Sequence, residues 1–175
     1  MVVDALGGRP DPALRDRLGP ELHDQLRHLL REHALAWARS AAGGAMPREA
    51  QGVEDVPALL RDWSGPVALV APDIPGLGAH QLAGARSDLA DGVQVVSATS
   101  SDGTPYLAVL ARADPELLGL VGRPFAELLG RAQEHDVSIG MLRNERRLSS
   151  LGDARAVLAD PLAPRELREL LAVLA

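Results

Sequence analysis

The chain has 175 residues, a formal net charge of −6 and no cysteine, and its 18 basic residues are all arginine. These numbers exclude thiol nucleophiles, thiolate metal sites and disulfides, together with any mechanism built on a lysine Schiff base or a P-loop lysine. The arginines are scattered, and the four aromatic residues (Trp37, Trp63, Tyr106 and Phe125) form no stacking ladder beside them, which argues against nucleic acid as the main partner.

The length is that of one ordinary domain, and a single domain over residues 1–175 is expected. No apolar run approaches the ~20 residues of a membrane span. Met1 to Arg9 carries no basic segment ahead of an apolar core, so no secretory signal and no membrane partner are expected, and a soluble cytoplasmic protein is. Usage rich in Ala, Leu, Arg and Gly without lysine points to a GC-rich, bacterial genome.

In chain order, Val2 to Leu6 is a short apolar run stopped by Gly7-Gly8, and reads as a first, central strand. Pro10, Asp11 and Pro12 open a short helix over Ala13 to Leu18. The longest helix is predicted from Pro20 to Ala42. Leu22, Leu26, Leu29, Leu30 and Trp37 fall at helical spacing there, and Gly43-Gly44 suits the exit. Gly43 to Asp55 reads as a polar, mobile loop in which no strand is visible.

A short helix from Val56 to Trp63 precedes Val67 to Ala71, an apolar run of the kind buried on both faces of a sheet. The stiff turn Pro72-Asp73-Ile74-Pro75-Gly76 follows, then a helix over Ala79 to Leu89. Val93 to Ser97 and Tyr106 to Leu110 read as strands joined by a short polar turn, which makes them a plausible antiparallel pair. Helices over Pro115 to Val121 and Pro124 to Glu134, a strand over Val137 to Leu142, and helices over Ser150 to Leu158 and Pro164 to Leu174 complete the chain. This alternation predicts an α/β fold with a mostly parallel sheet covered by helices.

Ligands of open α/β sheets bind at the carboxyl ends of strands. Gly7, Gly8 and Arg9, with Arg15 and Arg17 beyond, could cradle phosphate oxygens, or could form a tight turn with solvated arginines. Asp73 and Asp102 each follow a strand; together they could share a divalent cation, or each could simply close its own turn. His23, His28 and His33 are spaced five apart on one helix, a rotation of about 140° per step, so they share no metal-binding face and are expected at the surface or facing a partner. His80 reads as a helix-start residue, and Glu145-Arg146-Arg147 as a solvated charge cluster.

Three segments resemble a family of small bacterial proteins with a GT-A fold, described as glycosyltransferase-like or as selenium/radical-SAM-associated transferases and related to the phospholactate guanylyltransferases. Gly65 to Leu77 is similar to their "G-P-V-L-L-I-G-x-D-C-P-G-L". Asp102-Gly103-Thr104-Pro105-Tyr106-Leu107 is similar to "D-G-G-Y-Y-L", and Leu14 to Glu21 to "V-K-T-R-L-x-x-x-x-G". The resemblance implies a three-layer Rossmann-like GT-A sheet, mostly parallel with one antiparallel strand and helices on both faces. It implies nucleotidyl or glycosyl transfer to or from a nucleotide or phosphorylated small molecule, with Mg²⁺ or Mn²⁺. Asp73 and Asp102 become the candidate catalytic residues, Asp73 the candidate metal ligand, and Gly103 and Thr104 the acceptor side.

The departures from the pattern are specific. Arg15 stands for the family's lysine, Thr104 for its second glycine, and the glycine of its first loop has no counterpart. The closing "D-V-D-T-P-E-D-L" falls on Arg147 to Ala154, so that Ser149 stands where the metal-binding aspartate is expected. A non-catalytic relative serving in binding or assembly, and a repurposed metal-independent site, therefore stand as alternatives. A homodimer is left open.

Overall fold

A computed structural model describes residues 1–8, 11–43 and 45–175. Arg9, Pro10 and Gly44 lie outside the described residues, and with them the expectations that Arg9 meets phosphate, that Pro10 opens the first helix and that Gly44 closes the second.

Six strands form one sheet: β1 (Val2–Val3), β2 (Arg48–Glu49), β3 (Val67–Val70), β4 (Val95–Thr99), β5 (Pro105–Leu110) and β6 (Ile139–Met141), in the spatial order β2-β1-β3-β5-β4-β6. The pairs β1–β2, β1–β3 and β4–β6 are parallel, and β5 alone runs against its two neighbours. β3, β4 and β5 are buried along their whole lengths, as the apolar runs of β3 and β5 require, and β4 buries Ser97 and Thr99 among its apolar residues.

β1 is shorter than the apolar run that announces it. Asp4 adopts φ +68, which turns the chain out of strand geometry, although its N–H still reaches Val70 O at 2.9 Å. β2 lies in the loop segment Gly43 to Asp55, where a strand is possible but the sequence shows none. It is an exposed two-residue edge strand, held by Arg48 N–H to Met1 O and Ala50 N–H to Val3 O, both at 3.0 Å.

Around the sheet lie α1 (Pro12–Leu18), α2 (Pro20–Ala41), α3 (Val56–Leu59), α4 (Ala79–Ala90), α5 (Pro115–Leu118), α6 (Phe125–Glu134), α7 (Leu151–Ala159) and α8 (Arg165–Leu171). Among the described residues no helix is long and apolar enough to cross a membrane.

The apolar side chains separate into two clusters. One is the sheet with the helices against it. The other is built from Leu14, Leu18, Leu26, Leu30, Leu148, Val157, Leu167 and Leu171, where α1, α2, α7 and α8 meet. α2 belongs to both: its buried stripe carries Leu26 and Leu30 into the second cluster and Ala34, Leu35 and Ala38 into the first. His23 lies on that stripe, only 5% exposed, so the expectation of a surface histidine is corrected. It sits one turn before Leu26 and so shares the inward face.

Candidate functional site

Past β6 the chain crosses the carboxyl ends of the neighbouring strands. Leu142 N–H bonds to Ser97 O, Ser101 N–H to Glu145 O, and Leu148 N–H to Asp73 O at 2.8 Å. The Tyr106 hydroxyl secures the crossing from the core by donating to Arg143 O at 3.0 Å. This path carries Arg147 to the point where the turns after β1, β3 and β4 converge.

Arg147 is buried, 4% exposed, and is no solvated charge. Its Nη1 donates to both oxygens of Asp73, at 2.6 and 2.8 Å. Nη2 donates to Leu6 O at 3.0 Å and Pro105 O at 2.6 Å. Nε donates to the hydroxyls of Thr104, at 2.9 Å, and Ser100, at 3.2 Å. One guanidinium thus ties together the turns that follow β1, β3 and β4. A buried guanidinium requires such partners, because an ionised group cannot be buried without compensation.

Asp73 and Asp102, separated by 29 positions in sequence, meet at this junction. Asp73 contacts Arg147 directly. Asp102 is linked to it through the hydroxyls of Ser100 and Thr104, which donate to Asp102 Oδ1, Thr104 at 2.7 Å. The Thr104 N–H adds a third bond to the same oxygen at 2.9 Å. Gly103, at φ +81, lets the chain reverse there, so Asp102 does close its own turn. Its carboxyl titrates below the ordinary range: desolvation opposes ionisation, but the bonds from Ser100 and Thr104 and the nearby Arg147 charge outweigh it.

The glycine pair sits in close approach to charged side chains. A Cβ on Gly8 would lie 3.0 Å from Asp73 Oδ2 and 3.2 Å from Arg147 Nη1, and one on Gly7 only 2.5 Å from Asp4 Oδ1. Gly8 N–H reaches Asp73 Oδ2 at 3.3 Å.

A cleft opens on each side of this turn. One, about 300 Å³, lies against α2, with Leu14, Leu26, Leu30 and Leu148 as its apolar lining and His23, His28, Arg27, Arg31, Asp4 and Asp73 as its polar groups. The other, about 580 Å³, includes Asp102, Thr104, Arg147, Gln51 and Glu54. Gly7, Gly8 and Ser149 belong to both.

Arg15 and Arg17 line neither cleft. Leu14 and Leu18 turn inward on the two-turn helix α1, which leaves both arginines exposed on its outer side. Besides Arg147, the arginines that line these two clefts are Arg27 and Arg31 of α2, the latter bonded through Nε to Glu49 at 2.6 Å. The signal of Arg27 and Arg31 in the sequence is weak but present: they share the helical stripe of His23 and Leu30, the four residues standing at i, i+4, i+7 and i+8.

Ser149 and Asp153 serve the helix that follows. Asp153 Oδ2 accepts from Ser150 N–H at 3.0 Å and from the Ser149 and Ser150 hydroxyls at 3.2 and 2.7 Å, a capping box at the start of α7. His80 stands at the start of α4, exposed, with Nε2 at 3.5 Å from Glu145.

No protein-family model and no curated protein matches the sequence. Among solved structures, one from Desulfovibrio desulfuricans G20, assigned as a nucleotide-diphospho-sugar transferase, is similar with a TM-score of 0.71 at 14% identity, over 99% of this chain and 95% of that one. The chain has the fold of a nucleotide-diphospho-sugar transferase. At this identity the likeness is one of architecture, and the mostly parallel sheet with one reversed strand and helices around it is the architecture the GT-A resemblance implies.

Proposed function

We propose that the chain binds a nucleotide or another phosphorylated small molecule at the Gly7–Gly8 turn, as a divergent member of the GT-A-like transferases. The observation that carries this reading is the convergence of Gly8, Asp73, Asp102 and Arg147 at the carboxyl ends of the strands, with a cleft on either side.

Charge divides the work between the clefts. The Asp73–Arg147 pair is neutral as a unit. The α2 side then keeps Arg27 against Asp4, with Arg31 in the lining but paired to Glu49, and the other side keeps Asp102 and Glu54. Arginine forks suit phosphate oxygens, so the phosphorylated group belongs beside α2, with its apolar part against Leu26 and Leu30. Asp102 Oδ1 is fully engaged, and Oδ2 has no bond among the described residues, so it is the oxygen available to a hydroxyl of the second substrate, beside Gly103 and Thr104. Arg15 and Arg17 take no part in this arrangement.

A second reading, binding without group transfer, is supported by the complete engagement of Arg147, which leaves that guanidinium no N–H for a reacting phosphoryl group.

Thermal melts test the binding. Nucleoside di- and triphosphates and sugar phosphates, added in EDTA buffer, are expected to include a ligand that raises Tm; a concentration of 100 times Kd corresponds to roughly 2.7 kcal/mol. Arg27→Ala is expected to weaken that ligand about tenfold or more, the loss of one charge-assisted bond. No rise with any phosphorylated ligand would sink the proposal. Assays of nucleotide consumption with hydroxylated acceptors then separate transfer from binding alone.

A further inference from the structure

A divalent cation held between Asp73 and Asp102 would need anionic oxygens directed at one point. The chain directs them elsewhere. Both oxygens of Asp73 accept from Arg147, Asp102 Oδ1 accepts from Ser100 and Thr104, and Asp153 Oδ2 is spent on the cap of α7. Among the described residues no three His, Asp or Glu side chains gather as a ligand set. In the eight-residue comparison of Arg147 to Ala154, moreover, the first aspartate of the motif is Arg147 itself. The residues do not fit the cation that the GT-A resemblance implies.

We infer that the Arg147 guanidinium is a resident replacement for that cation, so that the centre operates without a divalent metal. This deepens the proposal that a phosphorylated ligand binds beside it, and rests on that proposal for its purpose. The donor inventory supports it. A guanidinium has five N–H groups. All three nitrogens are engaged: Nη1 by both oxygens of Asp73, Nη2 by the carbonyls of Leu6 and Pro105, and Nε by the hydroxyls of Ser100 and Thr104.

Arg147 therefore performs two of the tasks of a bound cation: it cancels the Asp73 charge and draws the converging turns together. It offers no open position to a ligand oxygen, so phosphate must be met by other cations, Arg27 first and Arg31 by sharing its fork with Glu49. Unlike a metal, it cannot be removed by a chelator.

The test uses the full chain without nucleotide. Mn²⁺ binding is titrated by the EPR signal of the free ion. The wild type is expected to bind no Mn²⁺ at this centre. Arg147→Asp/Ser149→Asp, which sets two further carboxylates beside Asp73, is expected to bind at least about tenfold more tightly than wild type. Stoichiometric binding by the wild type that Asp73→Asn removes would overturn the inference, as would a folded double variant with no gain.

Should the double variant fail to fold, the wild-type titration decides, together with melts of the wild type in EDTA and in Mn²⁺. Equal ligand-induced rises support the replacement, and a rise that requires Mn²⁺ overturns it. No rise in either buffer defeats the binding proposal and leaves the Mn²⁺ titration to judge Arg147 alone.

Discussion

The two clefts share the Gly7–Gly8 turn and Ser149 as walls, yet each takes a different half of one ion pair. Asp73 belongs to the α2 side and Arg147 to the side of Asp102 and Glu54. On the first side, charge is supplied by helix residues at the rim over a leucine lining. On the second, carboxylates and hydroxyls belong to turns that the buried guanidinium holds in place. The difference shows how a fold can separate the recognition of an anion from that of a hydroxyl while one side chain keeps both clefts in register.

That division is broken most severely by removing Arg147. Arg147→Ala leaves the 15%-exposed side chain of Asp73 without its partner and releases the turns after β1, β3 and β4. The expected loss is about 3–5 kcal/mol in urea unfolding, the cost of stranding one member of a buried pair. Asp73→Asn/Arg147→Met removes both charges and is expected to recover most of it. An Arg147→Ala protein within about 1 kcal/mol of wild type would mean that the pair does not hold the partition.

A narrower change is made at the wall itself. Gly8→Ala sets a methyl group 3.0 Å from Asp73 Oδ2 and 3.2 Å from Arg147 Nη1. Both atoms are bonded to each other and cannot step aside independently, so a cost of about 1–3 kcal/mol, typical of overpacking, is expected in the same unfolding measurement. Gly130→Ala, where a Cβ meets nothing within 4 Å, is the control and is expected to be neutral or slightly stabilising. Equal effects at the two glycines would deny the close approach.

Much of the fold is legible in the sequence because it rests on local pattern. The stripe of α2, the apolar runs of β3 and β5, and the Asp102-Gly103 turn are each written within a few neighbouring residues. β2 is not, because a two-residue exposed edge strand has neither alternation nor apolar run; only pairing with β1 defines it. Arg147 is hidden for a stronger reason. Its partners lie up to 141 positions away, and in the local run Glu145-Arg146-Arg147 nothing distinguishes the inward Arg147 from the exposed Arg146. The displacement of Arg15 and Arg17 has the same origin, since the similarity matches the segment but the burial of Leu14 and Leu18 decides where the arginines point.

Asp4 allows the smallest test, and it reads the charge of the α2 side directly. Its carboxyl titrates above the ordinary value of 3.8: burial is the largest cause, Arg27 and Arg31 oppose it, and the negative charges of Asp73 and Glu49 add to it. A raised acid pKa means that the folded state holds the proton more tightly than the unfolded chain does. Stability contributed by Asp4 is therefore greatest at low pH and is lost as pH rises from 3.8 through the raised value. Asp4→Asn keeps the shape, tolerates the positive φ and removes the titration. The variant is expected to match wild type near pH 3 and to become the more stable of the two by pH 7. Asp102 and Asp153, whose lowered pKa values contribute stability that disappears as pH falls below 3.8, act equally in both proteins and cancel from the difference. The same substitution lessens repulsion in the cleft, so any phosphorylated ligand held by Arg27 and Arg31 is expected to bind Asp4→Asn more tightly. A stability difference that does not change with pH, or an anion that binds the variant no better, would show that Asp4 does not face the charge field assigned to the α2 side.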